Sequence, residues 1–133
     1  MSLEFNHAGI VVSDIEASTR FYRDLLGFDV VTSYKMPGDW PITYLRSGGG
    51  QVELLGRHGV ARREGPTDPG DGAGITHIGF KTDDLEGIAA RLRDAGVQFK
   101  TGPKPAGSGI GRLMFVYDPD FNEVEIIQRD TDW

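Results

Sequence analysis

"GITHIGFKTDDLE", residues 74–86, repeats a pattern that the chain has already used in "FNHAGIVVSDIE", residues 5–16. A shift of 70 residues matches a histidine, a glycine and a short acidic segment in each copy: His7 with His77, Gly9 with Gly79, and 13–16 with 83–86. Self-similarity at a fixed spacing is the signature of repeated structural units. The sequence therefore predicts two copies of one module.

Each copy predicts one helix. The segments "SDIE" and "DDLE" are typical of capping boxes, in which Ser13 or Asp83 accepts hydrogen bonds from amides of the first turn and the Glu reaches back. Apolar residues then recur at helical spacing. Gly27 and Gly96 follow as C-terminal caps that can take a positive φ. These two glycines align only after a one-residue slip between the copies.

Runs of β-forming residues complete each copy, one before the helix and three after it. The runs are "FNHAGIVV", "FDVVTSY", "ITYLRS" and "QVELL" in the first copy and "ITHIGFKT", "VQFK", "RLMFVY" and "EVEIIQ" in the second. We therefore predict an α+β fold of two βαβββ modules in a pseudo-twofold repeat. The first module spans residues 1–57, a linker rich in Gly, Pro, Asp and Arg spans 58–73, and the second module spans 74–133, all within one domain.

The composition is that of an ordinary globular protein, with 38% hydrophobic and 26% charged residues in 133. The net charge of -6 disfavours nucleic acid as a partner, because such binding depends on Lys and Arg that neutralise phosphates. The chain has no cysteine, so a metal would be held by His, carboxylate, amide or water. We find no signal peptide and no apolar run of about 18 residues, which predicts a cytoplasmic location and no membrane partner.

A glutamate between aliphatic residues stands in the last β-run of each copy, Glu53 in "VEL" and Glu125 in "VEI". Period-two alternation turns each Glu to the face opposite its neighbours, where a carboxylate needs a charged partner. A divalent cation bound by two imidazoles and two carboxylates supplies that partner and leaves positions for water or substrate. The repeat thus predicts a shared metal site whose ligands are His7, Glu53, His77 and Glu125.

Residues of these types, taken singly, usually have structural roles, and only their recurrence at matched positions favours metal binding. His58 has no counterpart and is interpreted as a loop histidine. A further apolar cluster could form either core or pocket wall, and we assign most of it to the core, with Trp40 in a loop that could cover a ligand. Its members are Met36, Trp40, Tyr44, Met114 and Phe115.

The segments "HAGIVVSDIEASTRFYRDLLGFDV", "VELL", "HIGF" and "DPDFNEVEI" resemble the vicinal oxygen chelate superfamily, which includes glyoxalase I, methylmalonyl-CoA epimerase, extradiol dioxygenases and bleomycin resistance proteins. The resemblance implies a cupped eight-stranded mixed sheet around one divalent metal, in a homodimer. It carries the ligand positions onto His7, Glu53, His77 and Glu125. The pattern is most similar to glyoxalase I-like (lactoylglutathione lyase-like) proteins, whose bacterial members often prefer nickel or cobalt; zinc, manganese and iron are alternatives.

Three positions depart from that pattern. Val11 and Arg57 stand where glutathione-using glyoxalases typically have an Arg and an Asn that bind glutathione. The resemblance therefore leaves open whether the substrate contains glutathione. Phe121 replaces the Gly of the usual "DPDGN" turn, which could alter the turn or bring an aromatic ring near the pocket.

The predicted function is proton abstraction next to a carbonyl of a small-molecule substrate through a metal-bound enediolate, with Glu125 as the first choice of base and Glu53 as the second. An acyl-CoA epimerase of the methylmalonyl-CoA type would use the same chemistry. An extradiol dioxygenase would need two His and one carboxylate on Fe(II), and Glu53 as a fourth ligand argues against it. The non-catalytic alternative is a bleomycin resistance-like protein that sequesters a drug or metabolite.

Overall fold

The computed structural model describes residues 1–133, apart from the side chain of Pro69. The chain divides into two units, Met1–Arg62 and Arg63–Trp133, each with its own sheet and helix. The boundary between the units falls inside the segment 58–73, whose regular structure is one short 3-10 turn at Pro69–Asp71.

The first unit follows the predicted βαβββ order. Its elements are β1 (His7–Val11), α1 (Ile15–Arg20), a π-helical segment (Phe21–Leu25), β2 (Asp29–Met36), β3 (Trp40–Ser47) and β4 (Gly50–Leu55). The strands form a four-stranded sheet in the order β1-β4-β3-β2. The pairing of β1 with β4 is parallel and the other two pairings are antiparallel.

The second unit repeats this arrangement. Its elements are β5 (His77–Lys81), α2 (Leu85–Asp94), β6 (Phe99–Pro105), β7 (Arg112–Tyr117) and β8 (Glu123–Gln128). The sheet order is β5-β8-β7-β6, with β5 parallel to β8. The predicted α+β class with two βαβββ modules is confirmed, and the eight strands are present as two mixed sheets of four.

Both helices begin one residue later than the sequence predicts. Asp14 and Asp84 are the N-caps, where Ser13 and Asp83 were expected. The first carboxylate accepts from two first-turn amides at 3.1 Å and the second from one at 3.0 Å. A carboxylate gains more than a hydroxyl from the positive end of the helix dipole. In the second unit the burial of Leu85, which is 0% exposed, fixes the first helical residue and so the cap before it.

A one-residue insertion explains the slip between the two copies. The π-helical segment Phe21–Leu25 ends with a hydrogen bond from the Leu26 amide to the Phe21 carbonyl at 3.2 Å, one residue wider than an α-helical bond. The helix α2 has no such segment. Gly27 and Gly96 then cap the two helices at φ values of 79° and 77°, as predicted. No helix in the described part of the chain is long and apolar enough to cross a membrane.

Each helix packs on one face of its own sheet, α1 against β3 and β4 and α2 against β6 and β8. Val52 and Leu54 lie on the covered face of β4 and are at most 2% exposed. The equivalent aliphatic residues of β8 are at most 3% exposed. Since side chains alternate along a strand, Glu53 and Glu125 lie on the opposite faces of their sheets, as the alternation predicted.

The turn before β8 contains Phe121 at the position where the resemblance places a glycine. Phe121 has a φ of 63°, in the left-handed region that glycine favours. The Asp118 carboxylate holds the turn, because it accepts from the amides of Asp120 and Asn122 at 2.9 Å. The ring of Phe121 lies edge-on to Tyr117, with centroids 5.9 Å apart.

Candidate metal centre

Strand pairing places a glycine, a glutamate and an aromatic residue side by side in each sheet. In the first sheet Glu53 pairs with Gly9 on β1 and with Tyr44 on β3. Directly paired residues point to the same face of a sheet, so the Tyr44 ring and the Glu53 carboxylate are neighbours. The equivalent row of the second sheet consists of Gly79, Glu125 and Phe115.

Each unit also brings one predicted histidine to its glutamate. His7 Nε2 lies 3.6 Å from Glu53 Oε2, and His77 Nε2 lies 2.8 Å from Glu125 Oε2. The glutamate side chains are 15% and 18% exposed and both histidines 36%. The four residues thus meet as two pairs, one in each unit. Among the residues that the structure describes, no group of three or more His, Asp or Glu side chains is arranged to hold a metal.

A short polar residue before each histidine orients the imidazole. His7 Nδ1 is bonded to Asn6 Oδ1 at 2.7 Å, and His77 Nδ1 to Thr76 Oγ1 at 2.8 Å. With Nδ1 engaged, each ring presents Nε2 to its glutamate. Outer hydrogen bonds of this kind fix the orientation of metal-binding imidazoles. Asn6 and Thr76 were not among the predicted site residues, although both directly precede a repeated histidine.

The glycine that follows each histidine by two residues leaves room for the carboxylate. A Cβ on Gly9 would lie 3.5 Å from Glu53 Oε1 and 3.3 Å from Leu55 Cδ1. A Cβ on Gly79 would lie 3.7 Å from Glu125 Oε2. The steric cause for a small residue at this position is that a side chain longer than alanine extends toward the carboxylate.

Substitution of Gly79 tests this steric cause. We expect Gly79→Ala to keep metal affinity, since 3.7 Å is an ordinary contact distance. We expect Gly79→Val to weaken metal binding about tenfold, because its methyl groups displace the Glu125 carboxylate. Cobalt affinity, measured by competition with a chelator, separates the two variants, and thermal melting checks that both fold. Equal affinity in the two would contradict the expectation.

An aromatic ring covers the edge of each histidine. The His7 and Tyr44 centroids are 5.2 Å apart at 78°, and those of His77 and Phe115 are 5.1 Å apart at 86°. The assignment to the core is right for Met114, which is 0% exposed, but wrong for Tyr44 and Phe115. Their pairing with the two glutamates turns them to the glutamate face. The signal was their position, nine residues before Glu53 in one copy and ten before Glu125 in the other.

Trp40 was expected in a loop but is the first residue of β3, paired with Met36. The strand begins earlier than the sequence indicated, because the three-residue turn 37–39 joins Met36 directly to Trp40. The Arg57 guanidinium lies over the Trp40 ring, 5.2 Å from its centroid. Trp40 therefore packs against a charged side chain of its own unit.

Tyr44 makes a contact with no equivalent in the second pair. Its hydroxyl donates a hydrogen bond to Glu53 Oε2. This bond raises the pKa of Tyr44 above its ordinary value, with burial and the charge of Glu53 acting in the same direction, so the hydroxyl keeps its proton at neutral pH. Phe115, which occupies the same place beside Glu125, has no hydroxyl to donate.

Comparison with known proteins places these features in a family. Residues 4–126 match the sequence profile of the Glyoxalase/Bleomycin resistance protein/Dioxygenase superfamily. The chain belongs to this superfamily. The resemblance predicted from the quoted segments is confirmed, and the matched range includes all four candidate ligands.

Named members of the superfamily are similar to the chain over nearly its whole length. "Probable lactoylglutathione lyase" of Synechocystis sp. is 30% identical over 131 residues, 94% of this chain and 95% of that protein. "Ethylmalonyl-CoA/methylmalonyl-CoA epimerase" of Cereibacter sphaeroides is 29% identical over 121 residues, 88% and 90% of the two chains. The solved structure of trypanothione-dependent glyoxalase I of Leishmania major has a TM-score of 0.75 at 26% identity, covering 96% of this chain and 87% of that one.

The side chains at the two pairs suit a divalent transition metal in this superfamily member. Imidazole nitrogen and carboxylate oxygen are ligands that zinc, nickel, cobalt and iron accept. Each carboxylate is partly buried, and its neighbour is an imidazole whose Nδ1 is already bonded elsewhere. A neutral imidazole whose Nδ1 is bonded in this way can offer Nε2 to a metal. The residues present therefore fit the group that the resemblance implies.

A third carboxylate, that of Glu123 beside His77, has its own partner. Glu123, whose side chain is 6% exposed, pairs with Lys100 at 2.6 Å, and its Oε2 has no hydrogen-bond partner among the described residues. We expect Lys100→Gln to lower the free energy of unfolding by about 1–2 kcal/mol, because it leaves a buried carboxylate unpaired while Lys100 itself is partly screened by solvent. Urea denaturation measures this.

The exposed Lys104 gives a matched control, since Lys104→Gln should be neutral within about 0.5 kcal/mol. The double variant Lys100→Gln/Glu123→Gln should recover part of the loss. The hydrogen bond to Glu123 raises the pKa of Lys100. The contribution of Lys100 to the free energy of unfolding is therefore present at neutral pH and is lost as the pH rises through that raised pKa. A single variant as stable as the wild type would contradict the expectation.

Proposed function

We propose that the protein is a metal-dependent lyase or isomerase of the glyoxalase I type, which moves a proton next to a carbonyl group. The observation that carries the proposal is the recurrence of one His–Glu pair at matched positions of both units. In this proposal His7, Glu53, His77 and Glu125 hold one divalent metal, with the pairs drawn from one chain or from two copies. Nickel and cobalt are favoured, and zinc, manganese and iron are the alternatives.

Proton transfer is assigned to the glutamates. The metal, when bound, supplies Lewis acidity toward two oxygens of a small-molecule substrate. Glu125 takes the proton from the carbon next to the carbonyl and delivers it to the neighbouring carbon, so that the substrate is isomerised with no external reductant or oxidant. Glu53 is the second choice for this role. The apolar ring of Phe115 beside His77 supports the choice of Glu125, because it adds no donor that would hold the carboxylate.

Turnover of hemithioacetals tests the proposal. The protein is stripped of metal, reloaded in turn with nickel, cobalt, zinc, manganese or iron(II), and given methylglyoxal with glutathione or with other small thiols. The range of thiols matters because Val11 and Arg57 replace two residues typical of glutathione-using relatives. We expect metal-dependent formation of a thioester with at least one thiol. No thioester with any metal and thiol would refute the lyase activity.

An acyl-CoA epimerase is the second candidate, supported by the 29% identity to the epimerase of Cereibacter sphaeroides. It needs the same removal of a proton next to a carbonyl, here a thioester. Incorporation of deuterium from heavy water into methylmalonyl-CoA, followed by mass spectrometry, distinguishes it. Deuterium uptake without any hemithioacetal turnover would establish the epimerase in place of the lyase.

We further propose that the protein acts in the cytoplasm as a homodimer. The superfamily resemblance supports the homodimer, and the cysteine-free sequence suits a reducing compartment. Neither statement enters the assignment of the four ligands. Light scattering after size-exclusion chromatography measures the oligomeric state directly. A monomer that binds metal would place both His–Glu pairs of the site in one chain.

A further inference from the structure

The two His–Glu pairs are equivalent in strand position but not in chemistry. Both glutamates pair with a glycine on one side and an aromatic residue on the other. Both aromatic rings meet the imidazole edge-on at nearly the same distance. The aromatic neighbour of Glu53 is Tyr44, whose hydroxyl donates to the carboxylate, whereas the neighbour of Glu125 is Phe115.

The Tyr44 hydroxyl is held in place by its surroundings. One side of its ring stacks on Tyr34, with centroids 6.4 Å apart at 21°. The ring also meets His7 in a T-shaped contact, so its position is fixed from two directions. A carboxylate bonded to a fixed donor loses rotational freedom and keeps its second oxygen, here Glu53 Oε1, for another partner.

Glu125 is not held by an aromatic donor of this kind. Its Oε2 lies 2.8 Å from His77 Nε2, and the neighbouring phenyl ring offers no hydrogen bond. The two roles in the proposed reaction make opposite demands on a carboxylate. A permanent ligand gains from being fixed, whereas a base has to turn from its resting partner to the substrate carbon and back.

We propose that Tyr44 is a positioning residue, which fixes Glu53 as the permanent carboxylate ligand and thereby leaves Glu125 as the mobile carboxylate that carries the proton. This inference rests on the proposed metal-dependent function. It assigns different tasks to two glutamates that the pseudo-twofold repeat makes equivalent. The Tyr44 hydroxyl causes this difference by holding the Glu53 carboxylate, and it does not touch the substrate.

Exchange of the two aromatic residues gives a matched test. The variants are Tyr44→Phe, Phe115→Tyr and the double exchange. In metal-free protein labelled with 13C at the glutamate carboxyl carbons, Glu53→Gln and Glu125→Gln identify the two resonances. We expect Tyr44→Phe to move the Glu53 resonance and Phe115→Tyr to move that of Glu125. A Glu53 resonance unaffected by loss of the hydroxyl would overturn the proposal.

Cobalt binding and kinetics provide a second readout. We expect Tyr44→Phe to weaken cobalt binding about tenfold, as loss of an outer hydrogen bond to a metal ligand does. We expect Phe115→Tyr to lower kcat about tenfold, with KM and cobalt affinity unchanged, because a new donor restrains Glu125. Turnover is measured with the hemithioacetal that the wild type accepts, and thermal melting checks folding.

The outcomes distinguish failure of the Tyr44 role from failure of the proposed function. If the wild type binds cobalt and turns over while neither exchange changes affinity or kcat, the role of Tyr44 is overturned and the proposed function stands. If the wild type binds none of nickel, cobalt, zinc, manganese and iron, both are overturned. If Phe115→Tyr weakens cobalt binding as much as Tyr44→Phe does, the two glutamates are equivalent ligands and the assignment to Tyr44 is overturned.

Discussion

Replacement of Glu125 by Gln is expected to lower turnover by at least about 100-fold while most of the metal is retained. Glutamine keeps the length of the side chain and one oxygen that can face a metal, but it cannot accept the substrate proton at neutral pH. The measurement is kcat for the cobalt-loaded variant, together with its metal content. Unchanged turnover would refute the assignment of Glu125 as the base.

Two further substitutions show whether this loss is specific. Glu86→Gln removes an exposed carboxylate that pairs with Arg112 on the surface, and we expect it to leave turnover unchanged. Glu53→Gln makes the same chemical change in the other His–Glu pair, and we expect it to weaken metal binding more than Glu125→Gln does. If Glu53→Gln loses turnover with full metal content, the second choice of base becomes the first.

Replacement of His77 by Ala is expected to remove the bound metal. Protein purified without a chelator should contain about one equivalent of nickel, cobalt, zinc, manganese or iron, and the variant should contain almost none, because loss of one imidazole opens a four-ligand site. Elemental analysis measures both. A wild type without metal, even after reconstitution, would favour the binding protein that sequesters a drug or metabolite.

His58 is the matched control for this experiment. Its Nε2 is bonded to the backbone carbonyl of Asp39 at 3.1 Å, and it has no counterpart in the second unit. We expect His58→Ala to retain the metal of the wild type. His7→Ala should behave like His77→Ala, since the two histidines occupy equivalent positions. Metal loss in His58→Ala as large as in His77→Ala would contradict a specific site.

The elements of the fold could be predicted because the same pattern of β-runs and helix signals occurs twice in the sequence. Alternation in "VEL" and "VEI" gave the faces of Glu53 and Glu125, since side-chain direction depends only on local parity. Strand register could not be predicted from the sequence, because it depends on pairing between distant segments. Tyr44 was therefore placed in the core, although pairing with Glu53 brings it to the candidate metal centre.

The helix ends show a second limit. Two adjacent acceptors compete for each N-cap. In the first unit the Asp14 carboxylate is preferred to the Ser13 hydroxyl, and in the second the burial of Leu85 decides for Asp84. The one-residue slip between copies was visible in the sequence. Its cause, the π-helical segment Phe21–Leu25, became clear only from the hydrogen bonds that close it.

The parallel pairing of β1 with β4 has a consequence for folding. These strands are the first and the last of their unit, and 46 residues separate His7 from Glu53. We expect this pair to close last, when the beginning of the unit docks onto its end after the hairpins between them have formed, because contacts distant in sequence carry the largest loop-closure cost. Metal binding would then follow the completion of folding and could not direct it.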